Sequence, residues 1–331
     1  MIKKNDKIFL AGHNGLVGSA VLKKLKDNNF KNIITAERSN LNLFDQRKVE
    51  SFLRKHKPKI VILSAAKVGG IKANNNYKAD FIRENLQIQT NIIHGCHINN
   101  INNLIFLGSS CVYPKKCKLP IKEDYLLSGK LEVTNEPYAI AKIAGIKMCE
   151  SYNNQYNRNY ISLMPTNTFG PGDNYNLENS HFIPAILRKL YQAKIDKKKF
   201  INLWGTGKPK REIIYVEDLA NAIIYFINKK TIHSLINIGT SKEYSIKKIA
   251  NKILKILDMD IKIKFDNNSI FDGTKRKVLD TTIAKNYGWK PKISFEKAII
   301  ETYKDLVKNY KKIKGILLKK IIIEKYLSIF L

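Results

Sequence analysis

The sequence predicts an α/β protein with a Rossmann-type, doubly wound parallel sheet and a smaller C-terminal substrate-binding lobe. Short apolar runs alternate with longer helical patterns through the first half of the 331-residue chain, as parallel strands covered by helices require. A glycine-rich turn follows the first apolar run, and a Tyr-x-x-x-Lys pair opens a later helix. These observations indicate an open sheet that carries a ligand at the carboxyl ends of its strands.

The predicted elements follow in a regular order along the first half. Strands are expected at 7–11, 32–36, 59–64, 104–107 and 160–164, and helices at 17–28, 45–56, 79–99 and 137–156. Beyond residue 170 the pattern loosens into helices at 181–194, 216–228 and 245–257 and strands near 200–204, 236–238 and 262–265.

The same pattern predicts the domain organisation. We expect a Rossmann domain over 1–170 with returning segments near 210–240, a substrate-binding lobe over 171–312, and an extra helical tail over 313–331. The tail is apolar but interrupted by lysines. A helix of that kind packs on its own protein, on a partner subunit or on a membrane surface, and we favour packing on protein.

Composition narrows the class of function. Fifty-nine Lys and Arg against 28 Asp and Glu give a net charge of +31, which would suit a nucleic-acid partner. The lysines are spread over the predicted helices and turns without interleaved aromatic residues, so a diffuse basic surface without a nucleic-acid partner is the better interpretation. The four cysteines have no metal-ligand spacing, and no apolar run is long enough to span a membrane. We expect a cytoplasmic protein with no metal site.

The glycine turn indicates a dinucleotide site. Gly12, Gly15 and Gly18 lie between a predicted strand and a predicted helix, where backbone amides and the helix N-terminus can hold a pyrophosphate. A structural turn is the alternative, and the strand-turn-helix context argues against it. After the second strand, Glu37 suits the ribose hydroxyl of NAD, whereas Arg38 suits the 2′-phosphate of NADP. The arginine favours NADPH.

The Tyr138 and Lys142 pair predicts proton transfer. The two side chains share one face of a helix, and a neighbouring ammonium favours the phenolate, which would let Tyr138 shuttle a proton. Ser109 lies at a strand end and can bind the same substrate oxygen. Cys111 follows two residues later and is a candidate base for a proton next to a carbonyl group. A buried structural cysteine is the alternative.

Longer motifs carry a resemblance to a known family. The segments 65–71, 108–114, 135–145, 164–167, 179–184 and 204–207 resemble the GDP-L-fucose synthases, a family of extended short-chain dehydrogenase/reductases. The resemblance covers about residues 6–310. It implies a homodimer that converts GDP-4-keto-6-deoxy-D-mannose to GDP-L-fucose by 3,5-epimerisation and NADPH-dependent reduction of the 4-keto group.

The resemblance also implies roles for individual residues. Cys111 would be the base and His181 the acid of epimerisation, and Tyr138, supported by Lys142 and Ser109, would protonate the 4-oxygen during reduction. The expected substrate-binding residues are Lys189, Trp204, Arg211, Asn167 and Lys277. The expected cofactor-binding residues are Gly12, His13, Asn14, Gly15, Leu16, Val17, Gly18, Arg38, Leu41, Ala65, Ala66, Leu107, Gly108, Ser109, Ser110, Tyr138, Lys142, Pro165, Thr166, Asn167, Thr168 and His181.

Three alternatives differ in what they require of the sequence. A nucleotide-sugar 4,6-dehydratase would be expected to show an Asp-Glu pair where Ser110 and Cys111 stand. A 4-epimerase gives Cys111 no obvious task. A dinucleotide-sensing or RNA-binding module commonly loses the Tyr/Lys pair, which this chain retains.

Overall fold

The fold is a parallel sheet with a smaller lobe at its carboxyl edge. The computed structural model describes residues 2–229, 231–269 and 272–327, with side chains described through residue 311. The strands are β1 (Ile8–Ala11), β2 (Ile33–Ile34), β3 (Ile60–Leu63), β4 (Asn103–Leu107), β5 (Asn159–Pro165), β6 (Asn167–Phe169), β7 (Phe200–Leu203), β8 (Lys210–Tyr215), β9 (Leu235–Ile238), β10 (Glu243–Ser245), β11 (Lys262–Phe265) and β12 (Arg276–Lys277). The helices are α1 (Leu16–Asp27), α2 (Gln46–His56), α3 (Ile71–Asn76), α4 (Lys78–Ile98), α5 (Glu136–Tyr156), α6 (Phe182–Ile195), α7 (Val216–Phe226), α8 (Ile246–Ile256), α9 (Thr282–Asn286) and α10 (Phe295–Leu327).

The main sheet has six strands in the order β2-β1-β3-β4-β5-β9, and every neighbouring pair is parallel. The strand order reverses at β1, because β2 lies on one side of it and β3 on the other. A crevice opens at such a reversal, at the carboxyl ends of the strands. The predicted fold class is confirmed.

Alternate residues of each strand supply two separate cores, as the pleat of a strand requires. Ile8 and Leu10 face the layer that contains α1 and α7. Phe9 and Ala11 face the opposite layer, which contains α2, α4 and α5. Strands that are covered on both faces have continuous apolar sequences, which explains why these strands could be predicted.

The second lobe is built around a third core that joins α6, α8 and the start of α10. Its main strand is β8, which pairs with β10 in antiparallel orientation and with β12 and β6 in parallel. The sequence pattern did not predict β8, β6, β10, β12, the short helices α3 and α9, or the part of α10 before residue 313. Between the lobe's segments, α7 and β9 return to the main sheet, which confirms the predicted strand at 236–238. The domain boundaries themselves stay a prediction.

The described part of the predicted tail, residues 313–327, forms the end of α10, which runs without interruption to Leu327. What its side chains contact lies outside the described residues. Among the described residues, no helix has both the length and the apolar character that crossing a bilayer requires.

Candidate active site

A cleft of about 620 Å³ lies between the carboxyl edge of the sheet and the second lobe. It adjoins a smaller hollow of about 440 Å³ beside the glycine turn. Every residue predicted for the site lines one of the two. The cleft is lined by Leu16, Val17, Gly18, Leu107, Gly108, Ser109, Ser110, Cys111, Tyr138, Lys142, Pro165, Thr166, Asn167, Thr168, His181, Lys189, Trp204, Arg211 and Lys277, and the hollow by Gly12, His13, Asn14, Arg38, Leu41 and Ala65, with Gly15 and Ala66 shared. The roles of these residues stay predictions.

The glycine turn is compact enough to require glycine at two positions. Gly12 has a φ of +90°, in the region that side chains disfavour. A Cβ on Gly18 would lie 1.9 Å from the carbonyl oxygen of Gly12. The start of α1 therefore packs directly on the turn, which leaves its backbone N–H groups open to an anion in the cleft.

Tyr138 projects from the first turn of α5 into the cleft and is 9% exposed. Burial raises the pKa of its phenol, the neighbouring Cys111 raises it further, and a hydrogen bond from Ser109 acts in the opposite direction. The sequence predicted a phenolate favoured by Lys142, and in this respect the prediction is wrong. Tyr138 stays a neutral phenol at neutral pH, which suits a proton donor.

Lys142 explains why the phenolate is not favoured. Its ammonium donates to the carbonyl oxygen of Leu107 at 2.7 Å and lies 6.0 Å from the centroid of the Tyr138 ring. Burial lowers the pKa of Lys142 to about 7. Because burial disfavours the charged form of this lysine, Lys142 stabilises the phenolate of Tyr138 less than a fully charged neighbour would.

Cys111 lies in the short helical turn after β4 and is partly exposed to the cleft. Two nitrogen donors reach its Sγ: the amide Nδ2 of Asn135 at 3.5 Å and the ammonium of Lys277 at 3.8 Å. Hydrogen bonds from a charged donor stabilise negative charge on the acceptor. The sulfur is therefore not an inert core thiol. Asn135 precedes α5 but does not cap it, because its side chain is used at the sulfur.

His181 is the residue before α6 and is exposed within the cleft. The walls of the cleft partly desolvate its imidazole, which lowers the pKa of His181. The loop that carries His181 packs closely on another turn. The backbone N–H of Gly70 donates to Asn179 at 2.9 Å, and a Cβ on Gly70 would lie 2.6 Å from the carbonyl oxygen of Ser180. His181 is thus positioned from the sheet side of the cleft.

Positive side chains line the far end of the cleft. The guanidinium of Arg211 donates to three backbone carbonyls, those of Lys210, Thr274 and Asp272. Lys189 donates to the carbonyl oxygen of Asn202 at 2.7 Å and lies 5.1 Å from the Trp204 ring centroid. A hydrogen bond to a neutral carbonyl does not cancel a positive charge, so both side chains can still attract an anionic ligand.

Sequence reasoning missed several groups at the site. Glu132 is buried, lines the cleft and accepts a 3.1 Å hydrogen bond from the backbone N–H of Thr134. Next to the site, Glu212 follows Arg211 on β8, is fully buried, and accepts from the backbone N–H groups of Ser241 and Leu279 at 2.6 and 2.7 Å. Burial raises the pKa of Glu212 to about 7. Isolated glutamates have no spacing that would reveal such positions.

Asp173, also at the cleft, predicts a pH-dependent stability. Its Oδ2 is buried and has no hydrogen-bond partner among the described residues, and burial, helped by the charge of Asp305, raises its pKa to about 7. Above that pH the fold holds a buried charge, and the cost disappears as pH falls from 7 towards 3.8. Asp173→Asn should therefore stabilise the protein at pH 8, by up to about 4 kcal/mol, and have no stabilising effect at pH 4.

Urea unfolding at pH 8, 6 and 4 measures this difference. The exposed Asp260 supplies the control, since Asp260→Asn removes the same charge from open solvent and should change stability little. Equal stability of wild type and Asp173→Asn at pH 8 would contradict the prediction.

Among the residues that the structure describes, no group of three or more His, Cys, Asp or Glu side chains is arranged to hold a metal ion. The glycine turn, the strand-end serine and the buried Tyr-x-x-x-Lys pair define a dinucleotide-dependent oxidoreductase of the short-chain dehydrogenase/reductase type. The chain belongs to the NAD dependent epimerase/dehydratase family, whose model matches residues 8–239.

Comparison with known proteins narrows the relationship. The chain is 45% identical to GDP-L-fucose synthase of Escherichia coli K12 over 319 residues, which cover 94% of this chain and 99% of that protein. It is 46% identical to GDP-L-fucose synthase 1 of Arabidopsis thaliana, over 93% of this chain and 95% of that protein. The NADP-bound structure of a GDP-L-fucose synthetase from Naegleria fowleri superposes with a TM-score of 0.85 at 27% identity, over 94% of this chain and 97% of that chain.

Proposed function

We propose that this protein converts GDP-4-keto-6-deoxy-D-mannose to GDP-L-fucose, by epimerisation at carbons 3 and 5 and NADPH-dependent reduction at carbon 4. The identity to GDP-L-fucose synthases over nearly the whole chain supports the reaction. The observation that carries the proposal is the occurrence, in one cleft, of Cys111 with two nitrogen donors and of a neutral Tyr138. One group suits proton removal, the other proton donation.

The epimerisation uses the acidity of protons next to a ketone. Cys111, as the thiolate, removes the proton from carbon 3 or carbon 5, and the electrons move into the 4-carbonyl to form an enolate. Hydrogen bonds from Tyr138 and Ser109 stabilise that oxygen. His181 returns a proton to the opposite face of the carbon, which inverts it. Asn135 and Lys277 hold the sulfur, so Lys277, expected in the sequence to bind substrate, also acts on the base.

The reduction uses the same oxygen. The nicotinamide cofactor supplies the hydride for carbon 4 when it is bound. Tyr138 gives its phenolic proton to the oxygen, and its raised pKa keeps that proton in place until the reaction takes it. Lys142 lies beside the tyrosine on the next turn of α5 and can hold cofactor hydroxyls by its ammonium.

The residues present fit the dinucleotide. The open backbone of the glycine turn suits the pyrophosphate, and residues 165–168, at the end of β5 and the start of β6, line the same cleft. NADPH is supported by the NADP-bound relative and by Arg38. The basic cluster of Lys189 and Arg211 suits the diphosphate of a GDP-sugar.

The decisive experiment mixes the purified protein with GDP-4-keto-6-deoxy-D-mannose and NADPH. Nicotinamide oxidation is followed by absorbance, and the product's configuration at carbons 3, 4 and 5 by NMR. The proposal expects stoichiometric oxidation with GDP-L-fucose as product. No oxidation with either NADPH or NADH would overturn it, and a product with carbons 3 and 5 unchanged would restrict the activity to reduction.

We further propose a homodimer that pairs through α4 and α5. The two helices pack side by side on the outer face of the sheet, and Ile140 on α5 is 43% exposed. Ile140→Lys should shift the protein from dimer to monomer in sedimentation velocity. Ile195→Lys on α6, where the side chain is 50% exposed, is the matched control and should leave the dimer intact. A monomeric wild type at micromolar concentration would disprove this pairing. A cytoplasmic location stays a prediction.

A further inference from the structure

We propose that the adenosine end of the cofactor site binds NADH as well as NADPH, and that Glu37 provides the affinity for NADH. The proposal rests on the proposed function only in taking a nicotinamide dinucleotide as the ligand of the hollow beside the glycine turn. That hollow is lined by Gly12, His13, Asn14, Glu37 and Arg38 together with the segment 41–44. It therefore presents an acidic and a basic side chain in succession.

The carboxylate of Glu37 is fixed in the hollow by the glycine turn itself. Its Oε1 lies 3.1 Å from Nε2 of His13, and its Oε2 accepts from Nδ2 of Asn14 at 2.8 Å. These hydrogen bonds lower the pKa of Glu37, and the bond from Asn14 has a larger effect than the bond from His13. The side chain is thus a charged acceptor that two residues of the glycine turn hold in place. It is otherwise open to solvent.

A carboxylate at this place distinguishes the two cofactors. In dinucleotide-binding folds, an acidic residue after the second strand accepts a hydrogen bond from the adenosine ribose 2′-hydroxyl. NADH has that hydroxyl as a donor. NADPH instead has a phosphate, which offers no comparable donor and repels a carboxylate within a few ångströms. Glu37 as positioned favours NADH and opposes NADPH, and NADPH requires the carboxylate to turn away from its two partners.

Arg38 provides the opposite preference. Its guanidinium lies 5.1 Å from the centroid of the Phe44 ring, and that of Arg83 lies 5.9 Å from the same ring. In the parts of the chain that the structure describes, Arg38 forms no ion pair with a carboxylate, its neighbour Glu37 included. The arginine therefore remains free to bind a phosphate with two hydrogen bonds. Because each residue serves one cofactor, the hollow accepts both.

The test is a binding measurement without sugar, so it stands even if the proposed reaction fails. NADH and NADPH are titrated into the protein at one fixed ionic strength, and the fluorescence of the reduced nicotinamide reports binding. The wild-type dissociation constants should agree within about tenfold. Glu37→Gln should weaken NADH about tenfold and tighten NADPH by a similar factor, since a charge-assisted hydrogen bond and a repulsion are both removed. Asn14→Ala, which releases the carboxylate, should move both constants in the same directions by smaller factors.

Two further variants separate the inference from a general change of charge. Arg38→Met should weaken NADPH about tenfold or more and leave NADH nearly unchanged. Glu296→Gln removes an exposed charge at the start of α10 and should change neither constant. The proposal is overturned if the wild type binds NADPH more than about a hundredfold tighter than NADH, or if Glu37→Gln leaves the ratio of the two constants unchanged.

Discussion

Cys111→Ala is expected to abolish epimerisation while some slow reduction of the un-epimerised ketone remains. General-base catalysis contributes about 10² to 10⁴ to a rate, and alanine removes the whole base. The side chain is partly exposed in the cleft, so its loss leaves the fold intact. The measurement is the incorporation of solvent deuterium at carbons 3 and 5, with NADPH oxidation followed in the same sample.

Cys117→Ala is the matched control for this variant. Cys117 lies in the same connection after β4, but its Sγ contacts the carbonyl oxygen of Pro114 at 3.5 Å and it does not line the cleft. We expect wild-type deuterium incorporation for Cys117→Ala. If Cys111→Ala still produced GDP-L-fucose at the wild-type rate, the sulfur would have no part in the chemistry.

Tyr138→Phe is expected to have the opposite effect. Loss of the phenolic proton should slow reduction by about 10² to 10⁴, whereas deuterium exchange should persist at a reduced rate because Cys111, His181 and Ser109 remain. The phenylalanine keeps the edge-to-face contact with Phe81, whose ring centroid lies 6.2 Å away. The variant should therefore fold, and single-turnover NADPH oxidation measures the defect.

The pH dependence gives a second test of the same residue. Burial raises the pKa of Tyr138, so the phenol keeps its proton at least up to about pH 10. At lower pH, titration of this group should therefore cause no loss in the wild-type rate of reduction. Tyr156→Phe, at the exposed end of the same helix, is the control and should match wild type. Wild-type oxidation rates in Tyr138→Phe would assign the proton to another donor.

The elements predicted most accurately from the sequence are the long helices, in which buried positions recur over several turns. The predicted helices at 79–99 and 137–156 differ from α4 and α5 by no more than one residue at either end, because each has several turns of buried positions. The strand β8 was missed although its residues 213–215 are buried. Its partners are two- and three-residue strands that lie far away in sequence, and such short segments have no period to detect.

At the site, residue types and spacing predicted which side chains gather, but not which atoms meet. Nothing in the sequence indicated that Asn135, which precedes α5, donates to Cys111. Lys142 was expected to support a phenolate and instead donates to the carbonyl oxygen of Leu107. Each contact joins residues 24 or more positions apart through a particular rotamer, and neither the rotamer nor the degree of burial is encoded in local pattern.

The contact between Gly70 and Ser180 affects how this enzyme can be recombined with its relatives. The turn at 69–70 belongs to the sheet, the loop at 179–181 to the lobe, and the two are separated by a distance less than a methyl group needs. In a chimera that exchanges the lobe alone, the turn at 69–70 and the loop at 179–181 would come from different parents, and this is the contact that holds His181. Working hybrids should therefore inherit both segments from one parent.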